Sequence, residues 1–401
     1  MRHTTRLPSI AFLSTYPPTS CGLATFTAAL RGAVGGGRGS DDGLGVVSLV
    51  DDRLGDLKPE VILEHLNGNA ASLLSAIEAL NSFDAVFVQH EYGIYGGTDG
   101  REVLDLLSGL NVPAVVTLHT VLSRPSPSQR SILENVVALA DRTIVMSDTA
   151  NRRLVKGYGI DPGKVRMVPH GARVSLGGPS LANGTRPVVL TWGLIGPGKG
   201  LEMAIDAFAS LRDLLPLPRY IILGKTHPKV QASQGDAYLE SLVARVHDLG
   251  LDDVVEFDDQ YLDIDALAVA VRQADLVVLP YESTEQVTSG VLVEALAAGK
   301  PVIATAFPHA VELLGSGAGM VVPHGDPFAL AAALRSVFTE PSLEARMAGK
   351  ARQIGSTLYW PAIARRYDHI ATKLVARHEA ARVLPNAKHP QKVFDALAKV
   401  S

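Results

Sequence analysis

The sequence predicts an α/β chain of two doubly wound, parallel-sheet domains. Three observations carry this reading. Short apolar runs alternate with helix-forming stretches along nearly the whole chain, as strand–helix–strand crossovers require. Runs such as Leu276–Leu279 and Pro301–Ala304 are apolar throughout, the pattern of strands covered on both faces. The 401 residues exceed one ordinary core, and Ala172–Pro187 is polar, aperiodic and rich in Gly, Ser and Pro, which marks a boundary. The expected division is residues 1–171, a linker at 172–187, a second domain at 188–377 and a peripheral tail at 378–401. The last long helix is expected to pack back on the first domain.

Composition narrows the functional classes. The formal charge of −4 argues against the basic field of a general nucleic-acid binder. Cys21 has no second cysteine to pair with, which suits a cytoplasmic chain. No run reaches the roughly 20 apolar residues of a spanning helix, while peripheral contact with the inner membrane face stays open. The charged start lacks a secretory core.

In the first half, Ile10–Leu13 reads as a strand and Leu23–Val34 as a helix, with Gly22 at the turn between them. Gly22 is either an ordinary turn glycine or a point of backbone approach to a ligand. Gly35–Gly45 reads as a flexible surface connection. Val46–Val50 is a strand, followed by an acidic loop, and Asn69–Leu80 is a helix. Ala85–Gln89 is a strand that runs into His90–Gly97. That loop carries Glu91, Tyr92 and Tyr95, a density of polar and aromatic groups that favours a substrate-facing loop over a plain connector. His119 follows the strand Ala114–Leu118, at a carboxyl end where ligands collect; a buried or capping histidine is the alternative. Ser128–Ala140 is a helix, and Thr143–Met146 and Val165–Val168 complete the series of strands.

The second half repeats the scheme. Val188–Thr191 is a strand, Gly193–Gly200 a glycine-rich loop bearing Lys199, and Leu201–Leu214 an amphipathic helix. Loop amides and a lysine at a helix start suit a phosphate, although a solvated turn lysine has the same local pattern. The GK[ST] ending of a P-loop is absent. Tyr220–Leu223 leads into Lys225 at another carboxyl end. Tyr238–Leu249, Val254–Phe257 and Ile264–Arg272 are helix, strand and helix. The next unit is the clearest: strand Leu276–Leu279, a Ser/Thr-rich loop, helix Gly290–Ala298 and strand Pro301–Ala304. Its helix start would offer free N–H groups to an anion. Ala310–Leu314, Gly319–Val322, Pro327–Phe338 with Asp326 as its cap, Ser342–Gly355 and Ala362–Arg377 complete the domain, and Gln391–Lys399 reads as a short helix in the tail.

Several chemistries find no footing. The chain has no CxxC pair, HExxH, calcium loop or G-x-S-x-G elbow, and its first loop lacks the full G-x-G-x-x-G fingerprint. No metal site is expected.

Taken together, Gly193–Gly200, Tyr220–Gly224, Ala274–Tyr281, Gln286–Val302 and Pro169-His170-Gly171 resemble the retaining nucleotide-sugar glycosyltransferases of group 1 and family 4. The most specific piece is Glu294–Val302. The resemblance implies the GT-B architecture, two Rossmann-like domains facing each other across a cleft. It implies that Glu294 binds the ribose, in keeping with an ionised carboxylate accepting from a diol. It also implies that Lys199 meets the diphosphate, that Ser289, Gly290 and Val291 receive phosphate oxygens, that Gly22 approaches from the other domain, and that His119 lies near the transferred sugar. The family usually has two glutamates separated by seven residues; here the first is Gln286, and Val287-Thr288-Ser289 stands for Pro-Phe-Gly. Leu194 stands where an arginine often meets the phosphates, and Lys225 is a candidate for the missing charge. Cys21–Phe26, Glu91–Ile94 and Thr226–Pro228 look like a subset that keeps the Gln form.

The implied activity is transfer of a hexosyl group, mannose or glucose, from GDP-mannose or UDP-glucose to a carbohydrate, lipid or small-molecule acceptor with retention, without a further cofactor. Catalytic roles fall to His119, Gln286 and Lys199, and acceptor-side roles to Glu91, Tyr92 and Tyr95. The rival readings are a non-catalytic sugar-nucleotide binding module, motivated by Gln286 and Leu194, and a GT-B epimerase or phosphorylase.

Overall fold

A computed structural model describes residues 7–39, 41–55, 57–173, 186–260, 262 and 264–383. Most of the expected linker and the expected helix at Gln391–Lys399 lie outside the described residues. The chain divides into two compact units: Met1–Met146, Ala150–Val168 and Ala364–Ser401 form one, Ser147–Thr149 and Pro169–Ile363 the other.

The first unit is a seven-stranded parallel sheet. Its strands are β1 (Ile10–Ser14), β2 (Leu44–Val50), β3 (Val61–Leu66), β4 (Ala85–His90), β5 (Ala114–Leu118), β6 (Arg142–Val145) and β7 (Val165–Met167), in the order β3-β2-β1-β4-β5-β6-β7. Its helices are α1 (Gly22–Arg38), α2 (Ala70–Asn81), α3 (Glu102–Ser108), α4 (Pro127–Leu139) and, from Ala150 onward, α5 (Asp148–Arg152). β1, β2 and β4 are buried along their whole length, which is why they read as continuous apolar runs.

Three features depart from the sequence reading. β3 was not expected; it is an edge strand whose interior carries Glu64 and His65, both buried, so it lacks a strand's apolar signature. α3 was also not expected. α1 runs through Gly35-Gly36-Gly37 to Arg38, where a flexible connection was expected. Tertiary contacts offset the helix-breaking tendency of those glycines. Arg31 bonds Asp41 at 3.0 Å, and Arg38 bonds the Pro8 carbonyl at 2.7 Å and Asp368. A Cβ at Gly35 would lie 1.9 Å from Asp41 Oδ1, so a larger residue there would push the Asp41 carboxylate from its place beside Arg31.

The second unit is a six-stranded parallel sheet of β8 (Val188–Trp192), β9 (Arg219–Leu223), β10 (Val255–Asp258), β11 (Leu276–Leu279), β12 (Val302–Thr305) and β13 (Gly319–Val322), in the order β10-β9-β8-β11-β12-β13. Its helices are α6 (Leu201–Ala209), α7 (Pro228–Gln234), α8 (Ala237–Asp248), α9 (Ile264–Gln273), α10 (Gly290–Ala297), α11 (Pro308–Leu314), α12 (Pro327–Thr339) and α13 (Pro341–Gly355). On one face Phe208 stacks on Tyr220 with centroids 4.7 Å apart. The final helix α14 (Trp360–Val383) belongs to the first unit from Ala364 onward. There Tyr367 meets the Phe87 ring edge-on at 5.6 Å, and its hydroxyl lies 3.3 Å from Thr117 Oγ1. Among the described residues no helix is long and apolar enough to cross a membrane.

Strand order reverses between β1 and β4 in the first sheet and between β8 and β11 in the second. In open α/β sheets ligands gather outside the carboxyl ends of the strands at such a reversal. Each unit therefore has its own place where candidate residues gather.

Candidate functional site

In the second unit the reversal is built by two loops packed on each other. Gly200 has φ 65°, and a Cβ on it would lie 1.9 Å from the Pro280 carbonyl oxygen, so only glycine permits this approach. The Gly198 carbonyl accepts the Glu282 N–H at 3.0 Å. This contact between the β8–α6 loop and the end of β11 carries Lys199 over the face of Tyr281, with Nζ 4.7 Å from the ring centroid. Tyr281 is itself buried and stacks on Phe307 at 5.3 Å. Burial pushes the Lys199 ammonium below its ordinary pKa, and among the described residues no carboxylate pairs with it. A half-buried cation held by an aromatic face and lacking a counter-ion is an anion site in wait. Lys225 lies on the neighbouring loop: its carbonyl accepts the Ile195 N–H at 2.8 Å, and its side chain is exposed.

The start of α10 completes this edge. Ser289 is the N-cap, with extended backbone and Oγ accepting the Leu292 N–H at 3.2 Å. Gly290 and Val291 follow, and neither N–H has an acceptor among the described residues. Glu294 stands one turn further on. Part of its surface reaches solvent, yet burial pushes its carboxyl up to about 7, with the Arg173 guanidinium pulling the other way. No donor bonds that carboxylate among the described residues. The side-chain amide of Gln286 likewise has no internal partner, while its backbone carbonyl accepts the His309 N–H at 3.3 Å. The structure thus assembles Lys199, Gln286, Ser289, Gly290, Val291 and Glu294 in one unit.

Two histidines stand in this region: His170, within a stretch that carries the resemblance, and His309, which carried no functional signal in the sequence. His309 is 2% exposed and its Nδ1 accepts the Ser289 N–H at 2.9 Å; burial holds its pKa down to about 3. His170 donates from Nδ1 to the Gly171 carbonyl at 2.6 Å, and a Cβ on Gly290 would lie 3.0 Å from its Nε2. The Ser289 partner of His309 is brought to it only by folding.

In the first unit, Gly22 opens α1 and a Cβ there would meet nothing within 4 Å. The fold does not demand glycine, so its missing side chain leaves the helix start uncovered. Cys21 is the N-cap, its Sγ accepting the Ala24 N–H at 3.4 Å. His119 Nε2 bonds Gln89 Oε1 at 2.9 Å, and its ring meets Phe26 of α1 edge-on at 4.8 Å. Glu91 accepts from Thr120 Oγ1 at 2.5 Å and from the Tyr92 N–H at 2.9 Å, and burial raises its pKa. Tyr92 donates to the Gln129 carbonyl at 3.2 Å. Tyr95 is 5% exposed and donates to the Gln89 carbonyl at 2.6 Å, so it holds the loop rather than presenting a hydroxyl. Among the described residues no group of three His, Cys, Asp or Glu side chains could hold a metal ion.

Comparison with known proteins adds to this geometry. The profile described as Glycosyl transferases group 1 matches residues 178–354, and that described as Glycosyltransferase Family 4 matches residues 46–176. A D-inositol 3-phosphate glycosyltransferase of Kineococcus radiotolerans is 30% identical over 310 residues, covering 68% of each chain. The crystal structure of HepE from Anabaena, in complex with UDP, superposes with a TM-score of 0.72 at 21% identity, covering 91% of this chain and all of that one. Sucrose-phosphate synthase of Thermosynechococcus elongatus superposes with a TM-score of 0.74 at 20% identity, covering 92% of this chain and all of that one. The fold is that of the GT-B glycosyltransferases.

Proposed function

The chain belongs to the group 1 and family 4 glycosyltransferases, and on that premise we propose that it transfers a hexosyl group from a nucleoside diphosphate sugar with retention of anomeric configuration. One observation carries the donor class: at the β8/β11 reversal of one sheet stand a lysine, two helix N–H groups and a carboxylate that, among the described residues, have no counter-ion, acceptor or donor. Cation and N–H groups complement a diphosphate, and the carboxylate complements a ribose diol. HepE was solved with UDP, which makes UDP-glucose the first donor to test and GDP-mannose the second.

In the proposed reaction the bond from the sugar C1 to the diphosphate oxygen breaks and the bond from C1 to the acceptor oxygen forms on the same face. The departing phosphate takes the acceptor proton. Lys199 and the α10 N–H groups stabilise the charge that grows on the leaving group, and Gln286 orients the sugar hydroxyls. No pair of carboxylates is needed for this path, in contrast to a double displacement.

The test incubates purified protein with UDP- and GDP-sugars and a panel of acceptors. Phosphorylated polyols head that panel, since the Kineococcus relative is a D-inositol 3-phosphate glycosyltransferase. A glycosylated product with retained anomeric coupling is expected. Binding without product would favour a sugar-nucleotide binding module, and an altered donor sugar an epimerase. Turnover is expected to survive EDTA; loss that a divalent ion restores would sink the metal-free path.

A further inference from the structure

We propose that His309 is a positioning residue that clamps the Gln286–Ser289 loop onto the start of α10 and so sets the donor geometry. This rests on the donor reading above.

Two bonds tie one buried residue to both ends of a four-residue loop. The His309 backbone N–H donates to the Gln286 carbonyl at 3.3 Å, and its imidazole Nδ1 accepts the Ser289 N–H at 2.9 Å. The second bond decides the tautomer. A backbone amide can only donate, so Nδ1 must carry the lone pair and the proton of the neutral ring sits on Nε2. The ring stays neutral in ordinary buffers, because burial and the nearby His170 both disfavour the imidazolium.

Two side chains of the loop it holds lack hydrogen-bond partners among the described residues. Among the described residues the Gln286 side chain bonds nothing, and the Thr288 hydroxyl is buried without a partner. Ser289 uses its Oγ on the Leu292 N–H, so its own N–H, which cannot bond within α10, depends on His309. Helix α11 is thereby used as a fixed post: Pro308 starts it, Phe307 is fully buried, and His309 lies in its first turn. Displacing the imidazole would strand a buried N–H and free the backbone that aims Gln286 at the sugar and Gly290 at the phosphates.

The test compares His309→Leu with His309→Asn in the full-length protein. Asn can place Oδ1 where Nδ1 stands, and Leu fills the volume without an acceptor. Hydrogen exchange of the Ser289 amide and donor kinetics are read on each, with thermal unfolding as a check of folding. The Ser289 amide is expected to be protected in the wild type and in His309→Asn and exposed in His309→Leu. Loss of a bond to a buried amide predicts a fall in kcat/KM for the donor of about tenfold in His309→Leu, with most of it recovered in His309→Asn. A merely structural role would lower stability in both variants without that recovery. A Ser289 amide that exchanges freely in the wild type overturns the clamp. Unchanged donor kinetics in a folded His309→Leu overturn the positioning role while leaving the donor reading in place. A wild type that binds no nucleotide sugar overturns the donor reading, and the role built on it.

Discussion

Lys199 Nζ sits 4.7 Å from the centroid of the Tyr281 ring, so among the described residues an aromatic face rather than a carboxylate holds the cation of the candidate site. The ring lies just beyond β11 and the lysine just before α6, in the loop that follows β8, so their pairing registers the two loops of the reversal. A carboxylate partner would neutralise the charge offered to a diphosphate, whereas the ring orients it and leaves it intact.

Replacing Lys199 by Ala is therefore expected to lower kcat/KM for the donor by about 10²–10³, the range seen when one electrostatic contact to a developing charge is removed. Tyr281→Leu should cost less, about 0.5–2 kcal/mol of binding, as loss of a cation–π contact does. Tyr281→Phe keeps the ring and should keep most activity. Steady-state kinetics with a nucleotide sugar read all three, and wild-type values in Lys199→Ala would remove the lysine from the site.

Glu294 predicts a pH dependence. Burial lifts its carboxyl to about 7, and the ionised form accepts from the ribose hydroxyls more strongly than the protonated one. Donor kcat/KM is expected to climb as pH rises through about 7 and then level off. The sign for folding is opposite: a carboxyl whose pKa is raised in the fold contributes stability that is present below its unfolded value and lost as pH rises through about 7. Glu294→Gln should thus show a higher Tm than wild type at pH above about 8 while binding donor more weakly and losing the inflection. A kcat/KM profile in which Glu294→Gln retains the inflection assigns it to another group.

Gly22 separates stability from function. A Cβ at this position meets nothing within 4 Å, and Ala is favoured over Gly in a helix by up to about 1 kcal/mol. Gly22→Ala is expected to hold or raise the melting temperature while weakening donor affinity, measured by calorimetric titration. Unaltered affinity would return Gly22 to an ordinary turn residue.

Gln286 is expected to contribute through hydrogen bonds to the sugar. Gln286→Ala should reduce kcat for transfer by about tenfold, the value of one or two such bonds, and leave the affinity for the free nucleoside diphosphate near wild type. A matching loss of diphosphate affinity would show that the loop, and not the amide, is what the substitution disturbs.

The unit from β11 to β12 was legible to within a residue or two because buried parallel strands and a helix with a serine cap write themselves into consecutive residues. Other elements were not. β3 carries a glutamate and a histidine inside an edge strand, α3 and α7 are seven residues each, and α1 continues across three glycines where Arg31 and Arg38 find partners outside the helix, at Asp41, Pro8 and Asp368. In the site, Ser289, Glu294 and Lys199 stood out by motif. His309, Tyr281 and Gln89 did not, since what they do depends on Ser289, Lys199 and His119, which lie 20, 82 and 30 residues away. Tyr95 drew attention as a hydroxyl in a loop, but its hydroxyl is spent on Gln89.

The order of residues alone decided that the chain would make two parallel-sheet units and that a glycine loop with lysine and a helix start with free N–H groups would stand at carboxyl ends of strands. These follow from periodicity and turn chemistry, which act over a few residues. Folding alone decided that Lys199 would face a ring instead of a carboxylate, that Glu294 would be lifted to about 7, and that the Ser289 amide would be held by an imidazole. Desolvation and hydrogen-bond partnership are set by groups distant in sequence and adjacent in space, and no local pattern encodes them.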